Sequence, residues 1–229
     1  MMREEQLQEE AHKLLIQSLE THWQREKDMK LRNYKAQNQY IQAGKILFTG
    51  SSLMEQFPIT EFCLNEGITA YNRGIGGYTT DEFLAAIDVM MVDVQPAKLF
   101  INIGTNDIRP MPEGGDWFEH LSQNYRTICE IIRTRLPRTE VFMMAYYPVN
   151  SDVPAARSNP GMKVRTNENI ARANRMVEKL AAEFGYHYID VNNGIKDASG
   201  RLLAEHTADG IHFDASAYRT VFERLRPYL

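Results

Sequence analysis

Apolar positions change their rhythm at one point in this chain. Between Arg3 and about Gln42, Leu7, Ala11, Leu14, Leu15, Leu19 and Trp23 recur at steps of three and four in a polar background. That spacing lays them along one stripe of a helix, with Gly44 read as its stop. From Lys45 onward, short β-rich runs alternate with segments of helical spacing. "KILFTG", "ITAYNRG", "AKLFINIG", "EVFMMAYYP" and "YHYIDV" read as strands, several apolar almost throughout, as strands covered on both faces must be. "TTDEFLAAIDVMM", "DWFEHLSQNYRTICEIIRTRL", "TNENIARANRMVEKLAAEFG" and "DASAYRTVFERLRPYL" read as helices. Strands alternating with helices predict crossover units and a parallel sheet. The expected plan is a helical extension over residues 1–43 and an α/β domain over residues 44–229. The extension could lie on the domain's own surface, make a homodimer contact or cover a site, and its spacing does not choose among these.

Composition narrows the class. At 229 residues with 43% hydrophobic side chains, the chain can bury a core of one ordinary domain. A net charge of -4 leaves no broad basic surface for neutralising phosphates, so nucleic acid is not an expected partner. Cys63 and Cys129 stand far apart in no metal-like spacing and are expected to be reduced, buried thiols. The N-terminus "MMREEQLQEEAHK" is charged where a signal peptide needs an apolar core, and no run is long enough to span a bilayer. The expected compartment is the cytoplasm. Gly-rich "NRGIGG" fails as a dinucleotide fingerprint, because Thr79 stands where the third glycine is needed, and "AGKI" lacks the flanking residues of a phosphate loop. No cofactor and no metal are expected.

Four polar clusters fall at or after strand ends: Gly50-Ser51-Ser52-Leu53, Asn72-Arg73-Gly74-Ile75-Gly76-Gly77, Gly104-Thr105-Asn106-Asp107 and Asp209-Gly210-Ile211-His212. Singly, each could be a helix cap or a polar turn. Together they supply every part of a serine esterase. A hydroxyl needs a base to take its proton, an imidazole needs a carboxylate on its far nitrogen, and a tetrahedral intermediate needs donors aimed at its oxyanion. Asp209 and His212, three residues apart in one turn, can meet side chain to side chain. The long irregular stretches Asn106 to Gly115 and Pro148 to Arg165 follow the third and fourth strands, where parallel sheets bind ligands. An α/β-hydrolase elbow is excluded, since G-x-S-x-G would need glycine where Met54 stands.

In these blocks the sequence resembles the SGNH (GDSL-type) hydrolase family, and within it the esterases related to platelet-activating-factor acetylhydrolase, from about Lys45 to the C-terminus. The resemblance implies a three-layer α/β/α sandwich on a five-stranded parallel sheet in flavodoxin-like order. It places the nucleophile on Ser52, the acid on Asp209 and the base on His212. Oxyanion donors are the amides of Ser52 and Gly77 and the side chain of Asn106. Ser51 replaces the family's Asp, which makes Ser51 the fallback nucleophile. The implied reaction is hydrolysis of small or short-chain carboxylic esters through an acyl-enzyme, on a small-molecule ester such as an acetylated sugar or a lipid-like ester. The alternatives are a lysophospholipase or thioesterase on longer acyl chains, and a non-catalytic binding module on the same scaffold. A histidine base implies kcat/KM rising with pH through histidine's ordinary range, about 6 to 7. His206, Arg73, Arg109, Tyr147 and Phe213 flank motif residues and are candidates to line the site, while His12, His22, His120 and His187 are read as structural or solvated.

Overall fold

The computed structural model describes residues 2–111 and 114–229, with side chains from residue 8 onward. Leu7 of the N-terminal stripe and part of the stretch Asn106 to Gly115 therefore lie outside the described side chains. Five strands, β1 (Ile46–Gly50), β2 (Ala70–Gly74), β3 (Lys98–Asn102), β4 (Glu140–Met144) and β5 (His187–Ile189), form one parallel sheet in the order β2-β1-β3-β4-β5. This is the flavodoxin-like order, in which the connection out of β2 crosses back over β1 to reach β3. All five expected strands are present, each trimmed at its ends to the paired residues.

Side-chain alternation divides the core between the two faces. Leu47, Leu99, Ile101, Val141 and Met143 point to one face. There they meet α4 (Thr80–Ala85), α5 (Ile87–Met90), α6 (Trp117–Arg135) and α7 (Asn167–Phe184). Phe48, Phe100, Phe142 and Met144 point to the other face, against α2 (Ser52–Glu55), α3 (Ile59–Asn65) and α8 (Ala215–Leu225). The strand register puts Phe48, Phe100 and Phe142 side by side, and their rings stack at 4.5 and 4.6 Å with 7° between planes. His187 extends the stack from β5 at 4.8 Å, a structural role as expected. Side-chain oxygens start the helices: Asp116, Thr166 and Asp214 cap α6, α7 and α8, and Thr79 with Glu82 forms a capping box on α4. The single helix expected over "TTDEFLAAIDVMM" is two, because Ala86 leaves helical geometry between α4 and α5.

The N-terminal helix α1 spans Met2–Gln37. It stops seven residues ahead of the expected Gly44, in turns whose amides return to Tyr34, Ala36 and Gln37. Gly44 instead serves the following loop, donating its N–H to Gln95. Leu31, Tyr34 and Ile41 pack against the core on the α5 side, whereas Leu14, Leu15, Ile16 and Leu19 stay exposed. Of the sequence alternatives for this segment, surface docking and site cover both apply to its second half. Cys63 and Cys129 are buried free thiols, pushed up to about 11 and about 12 chiefly by burial. No described helix is long and apolar enough to cross a membrane.

Phe100 sits fully buried at the middle of the aromatic stack. Phe100→Ala is expected to lower unfolding free energy by about 3 to 5 kcal/mol, measured by chemical denaturation, through lost burial and the cavity left behind.

Candidate active site

A parallel sheet brings the C-terminal ends of its strands to one edge, and the loops leaving that edge build the site. At the end of β1, Gly50 adopts φ +155 and lies so close to β3 that a Cβ would come within 2.0 Å of the Asn102 carbonyl oxygen. Only glycine lets the chain turn there, and Ser52 follows as the first residue of α2. That turn is braced from both sides. Asn72 donates its amide to the Met54 and Phe57 carbonyls at 2.6 and 3.2 Å, and the Tyr218 hydroxyl donates to the Leu53 carbonyl at 3.0 Å.

Ser52 Oγ lies 2.8 Å from His212 Nε2, and His212 Nδ1 lies 2.6 Å from Asp209 Oδ2. A carboxylate only accepts, so Nδ1 carries the proton and Nε2 is left to accept from the serine hydroxyl. Asp209 Oδ1 also accepts the backbone N–H groups of Ile211 and His212 at 2.9 and 2.8 Å. Burial raises the Asp209 carboxyl, but the His212 ring and these two amides outweigh it and hold the group below the usual carboxylate range. The alternative serine is buried, and the imidazole meets Ser52, not Ser51.

The Gly-rich block after β2 forms the facing wall. Gly77 turns with φ +74. The Gly76 N–H donates to a Glu55 carboxylate oxygen, whereas the Gly77 and Ser52 N–H groups have no protein acceptor among the described residues. Asn106 donates from Nδ2 to the Tyr78 carbonyl at 3.0 Å and accepts at Oδ1 from the Arg165 guanidinium at 3.2 Å. Arg165 also donates from Nε to the Thr105 carbonyl at 3.0 Å. A guanidinium only donates, so it fixes Asn106 with its oxygen turned to Arg165 and its NH2 turned to Tyr78, with one amide hydrogen left over. Next to Asn106, buried Asp107 accepts from the Thr80 N–H at 3.0 Å and hydroxyl at 2.5 Å, tying this loop to the start of α4.

Ser52, Gly76, Gly77, Asn106, Arg165 and His212 line a cavity of about 510 Å³, whose outer wall is Trp23, Glu26, Lys27 and Lys30 of α1. Of the five residues expected at the site, Ser52, Gly77, Asn106 and His212 line it, and Asp209 stands behind the His212 ring. The flanking candidates do not line it. Arg73 is buried, bonded to Asn38 and lying 4.9 Å over the Tyr34 ring. Tyr147 and Phe213 pack on each other in the core, Arg109 is exposed, and His206 bonds the Ser216 hydroxyl. His120 pairs with Asp81 at 2.8 Å. Sequence reasoning missed Arg165, although it closes the long loop flagged after β4, and missed Glu26, Lys27 and Lys30, although cover over a site was one alternative for the helix and Trp23 stood in its apolar stripe.

Comparison with known proteins assigns the class. The GDSL-like Lipase/Acylhydrolase family matches residues 59–220, a stretch that begins after the Ser52 turn and includes Asn106, Asp209 and His212. The chain belongs to this family of carboxylic ester hydrolases. A Streptococcus pneumonia structure provisionally described as a platelet activating factor superposes with a TM-score of 0.83 at 27% identity, covering 94% of this chain and 98% of its own. An acetylxylan esterase from Geobacillus stearothermophilus superposes with a TM-score of 0.61 at 15% identity, over 81% of this chain and 94% of its own. Among curated sequences, a GDSL esterase/lipase from Arabidopsis thaliana is 23% identical over 67% of this chain and 69% of its own length. The N-acylneuraminate cytidylyltransferase of Escherichia coli O18:K1:H7 is 24% identical over 81% of this chain, which spans only 40% of that protein.

Two outcomes are expected from this geometry. Arg165→Ala frees the Asn106 amide to turn and should lower kcat on an activated ester by about 10- to 100-fold, read by steady-state kinetics. The Asp209 carboxyl is lower in the folded chain than in the unfolded one, so its stabilising contribution is complete above about pH 4 and is lost as pH falls through the lowered value. Asp209→Asn lacks that contribution, and the stability gap between wild type and variant should shrink as pH falls below about 4 in denaturation curves.

Proposed function

We propose that the chain hydrolyses small or short-chain carboxylic esters through an acyl-enzyme on Ser52. The observation that carries this reading is the unbroken run of contacts from Ser52 Oγ through the His212 ring to Asp209, at 2.8 and 2.6 Å. His212 takes the hydroxyl proton at Nε2 while Ser52 Oγ attacks the ester carbonyl, and Asp209 stabilises the imidazolium that forms. The amides of Ser52 and Gly77 and the Asn106 NH2 receive the charge that builds on the carbonyl oxygen. His212 returns its proton to the leaving alcohol, and water, deprotonated by the same ring, releases the acid.

A small acyl group fits the enclosure. The cavity is walled on one side by Trp23, Glu26, Lys27 and Lys30 of α1 and on another by Arg165. The loop from Pro148 to Arg165 is folded down in short 3-10 turns at Ala156–Ser158 and Pro160–Lys163, with Val153, Ala156 and Met162 buried in the core and not laid out as an open apolar trough. The resemblance in fold to an acetylxylan esterase is in keeping with an acetylated substrate.

A fluorophosphonate probe tests the assignment. Labelling of wild type and loss of labelling in Ser52→Ala is the expected result, with ester turnover reduced by at least about 1000-fold. Equal labelling of both proteins would remove Ser52 as the nucleophile.

A further inference from the structure

The glycine block that carries the Gly77 amide has few side chains of its own to hold it, and α1 meets it with one face. The Tyr34 hydroxyl donates to the Gly74 carbonyl at 2.8 Å. One turn earlier, Lys30 Nζ lies 2.5 Å from Glu55 Oε1, and the other oxygen of that carboxylate accepts the Gly76 N–H. One turn earlier again, Lys27 Nζ donates to the Gly77 carbonyl at 3.3 Å and to Glu82 Oε1 at 2.6 Å. Glu82 Oε2 in turn accepts the Thr79 N–H at 2.9 Å. At the far end, Asn38 accepts from Arg73 Nε at 2.9 Å. Lys27, Lys30 and Tyr34 share one face of α1, Asn38 follows in the turn just past its end, and their contacts follow residues 77, 76, 74 and 73 in reverse.

We propose that α1 is a working part of the active site, and that Lys27 and Lys30 are positioning residues that hold the Gly76-Gly77 turn so that the Gly77 N–H faces the ester oxygen. The proposal rests on the oxyanion role given above to Gly77. Glycine backbone is entropically expensive to fix, and a donor displaced by a fraction of an ångström loses most of its preference for the transition state. Lys30 acts through Glu55, orienting a carboxylate that would otherwise be free to leave the Gly76 amide. Lys27 clamps the Gly77 carbonyl directly and the start of α4 through Glu82, so the peptide that carries the Gly77 N–H is held on both sides. Both ion pairs are half-buried, so solvent screens them less than surface pairs. Because α1 precedes the family-matched stretch of residues 59–220, this part of the site is supplied by sequence beyond it.

The full-length chain tests this as Lys27→Met, Lys30→Met and the double variant, with Lys30→Arg as the conservative replacement and p-nitrophenyl acetate as substrate. The double variant should lose about 10- to 100-fold in kcat with KM within about threefold, and Lys30→Arg should recover most of the loss of Lys30→Met. Amide hydrogen exchange at Gly76 and Tyr78, whose N–H groups are bonded to Glu55 and to the Ile75 carbonyl, should be at least about tenfold faster in the double variant, a readout that needs no turnover. A kcat within twofold of wild type, or a rise confined to KM, would overturn the proposal, as would unchanged exchange at these amides. If the double variant does not fold, the two single variants carry the test, and unchanged exchange at these amides in both would overturn the proposal equally. Loss of fluorophosphonate labelling specificity for Ser52, with exchange still dependent on Lys27 and Lys30, would strike the esterase assignment and leave the bracing role standing.

Discussion

The contact between Ser52 and His212 depends on a topological constraint: every strand of the sheet runs the same way. Residues 160 positions apart in sequence meet at 2.8 Å because β1 and β5 both end at the same edge, and the loop after β5 folds back toward the middle of it. The return is secured by main-chain bonding, since the Asn150 N–H after β4 donates to the Gly210 carbonyl inside the Asp209–His212 turn at 2.8 Å. An antiparallel β1 would send Ser52 to the opposite end of the molecule. The chemistry is therefore a property of the sheet's direction before it is a property of any side chain.

Within that frame, the two halves of the site are stabilised differently. The Asp209–His212 turn is local: one carboxylate accepts the ring and two amides within three residues. Such a unit can form with little help from elsewhere, and its charged acceptor makes each bond stronger than a neutral one. The glycine wall is the reverse. Its geometry is imposed by neighbours, by Glu55 from α2, by Asn106 from the β3 loop and by the face of α1. One half brings its own order and the other borrows it.

This difference explains how much could be read from the sequence. The strands were legible because both faces of the sheet are covered, which left "KILFTG" and "AKLFINIG" mostly apolar. Ser52, Asn106, Asp209 and His212 were picked out because an esterase would call for their residue types, their blocks fall at strand ends and the family resemblance points to them, and the structure brings them together. Arg165 was not, because its task is to turn an asparagine amide, and an arginine at the end of a loop carries no pattern that says so. Lys27, Lys30 and Tyr34 were hidden for a related reason. Polar residues on a polar helix look solvated until the partner surface is seen, and the partners here are two glycine carbonyls and the carboxylates of Glu55 and Glu82. Ala86 illustrates the limit for local structure: nothing in its identity announces the break between α4 and α5.

The contacts of α1 with the glycine wall end largely on main-chain atoms: the carbonyls of Gly74 and Gly77 directly, and the Gly76 amide by way of Glu55. Every polypeptide offers those two carbonyls, whereas Lys27 and Lys30 also need the carboxylates of Glu82 and Glu55, so helix and wall are matched at a few side chains and independent elsewhere. Relatives would be free to pair the same glycine turn with helices of different composition, and the shape of the pocket mouth could change by replacing a segment outside the domain's motifs.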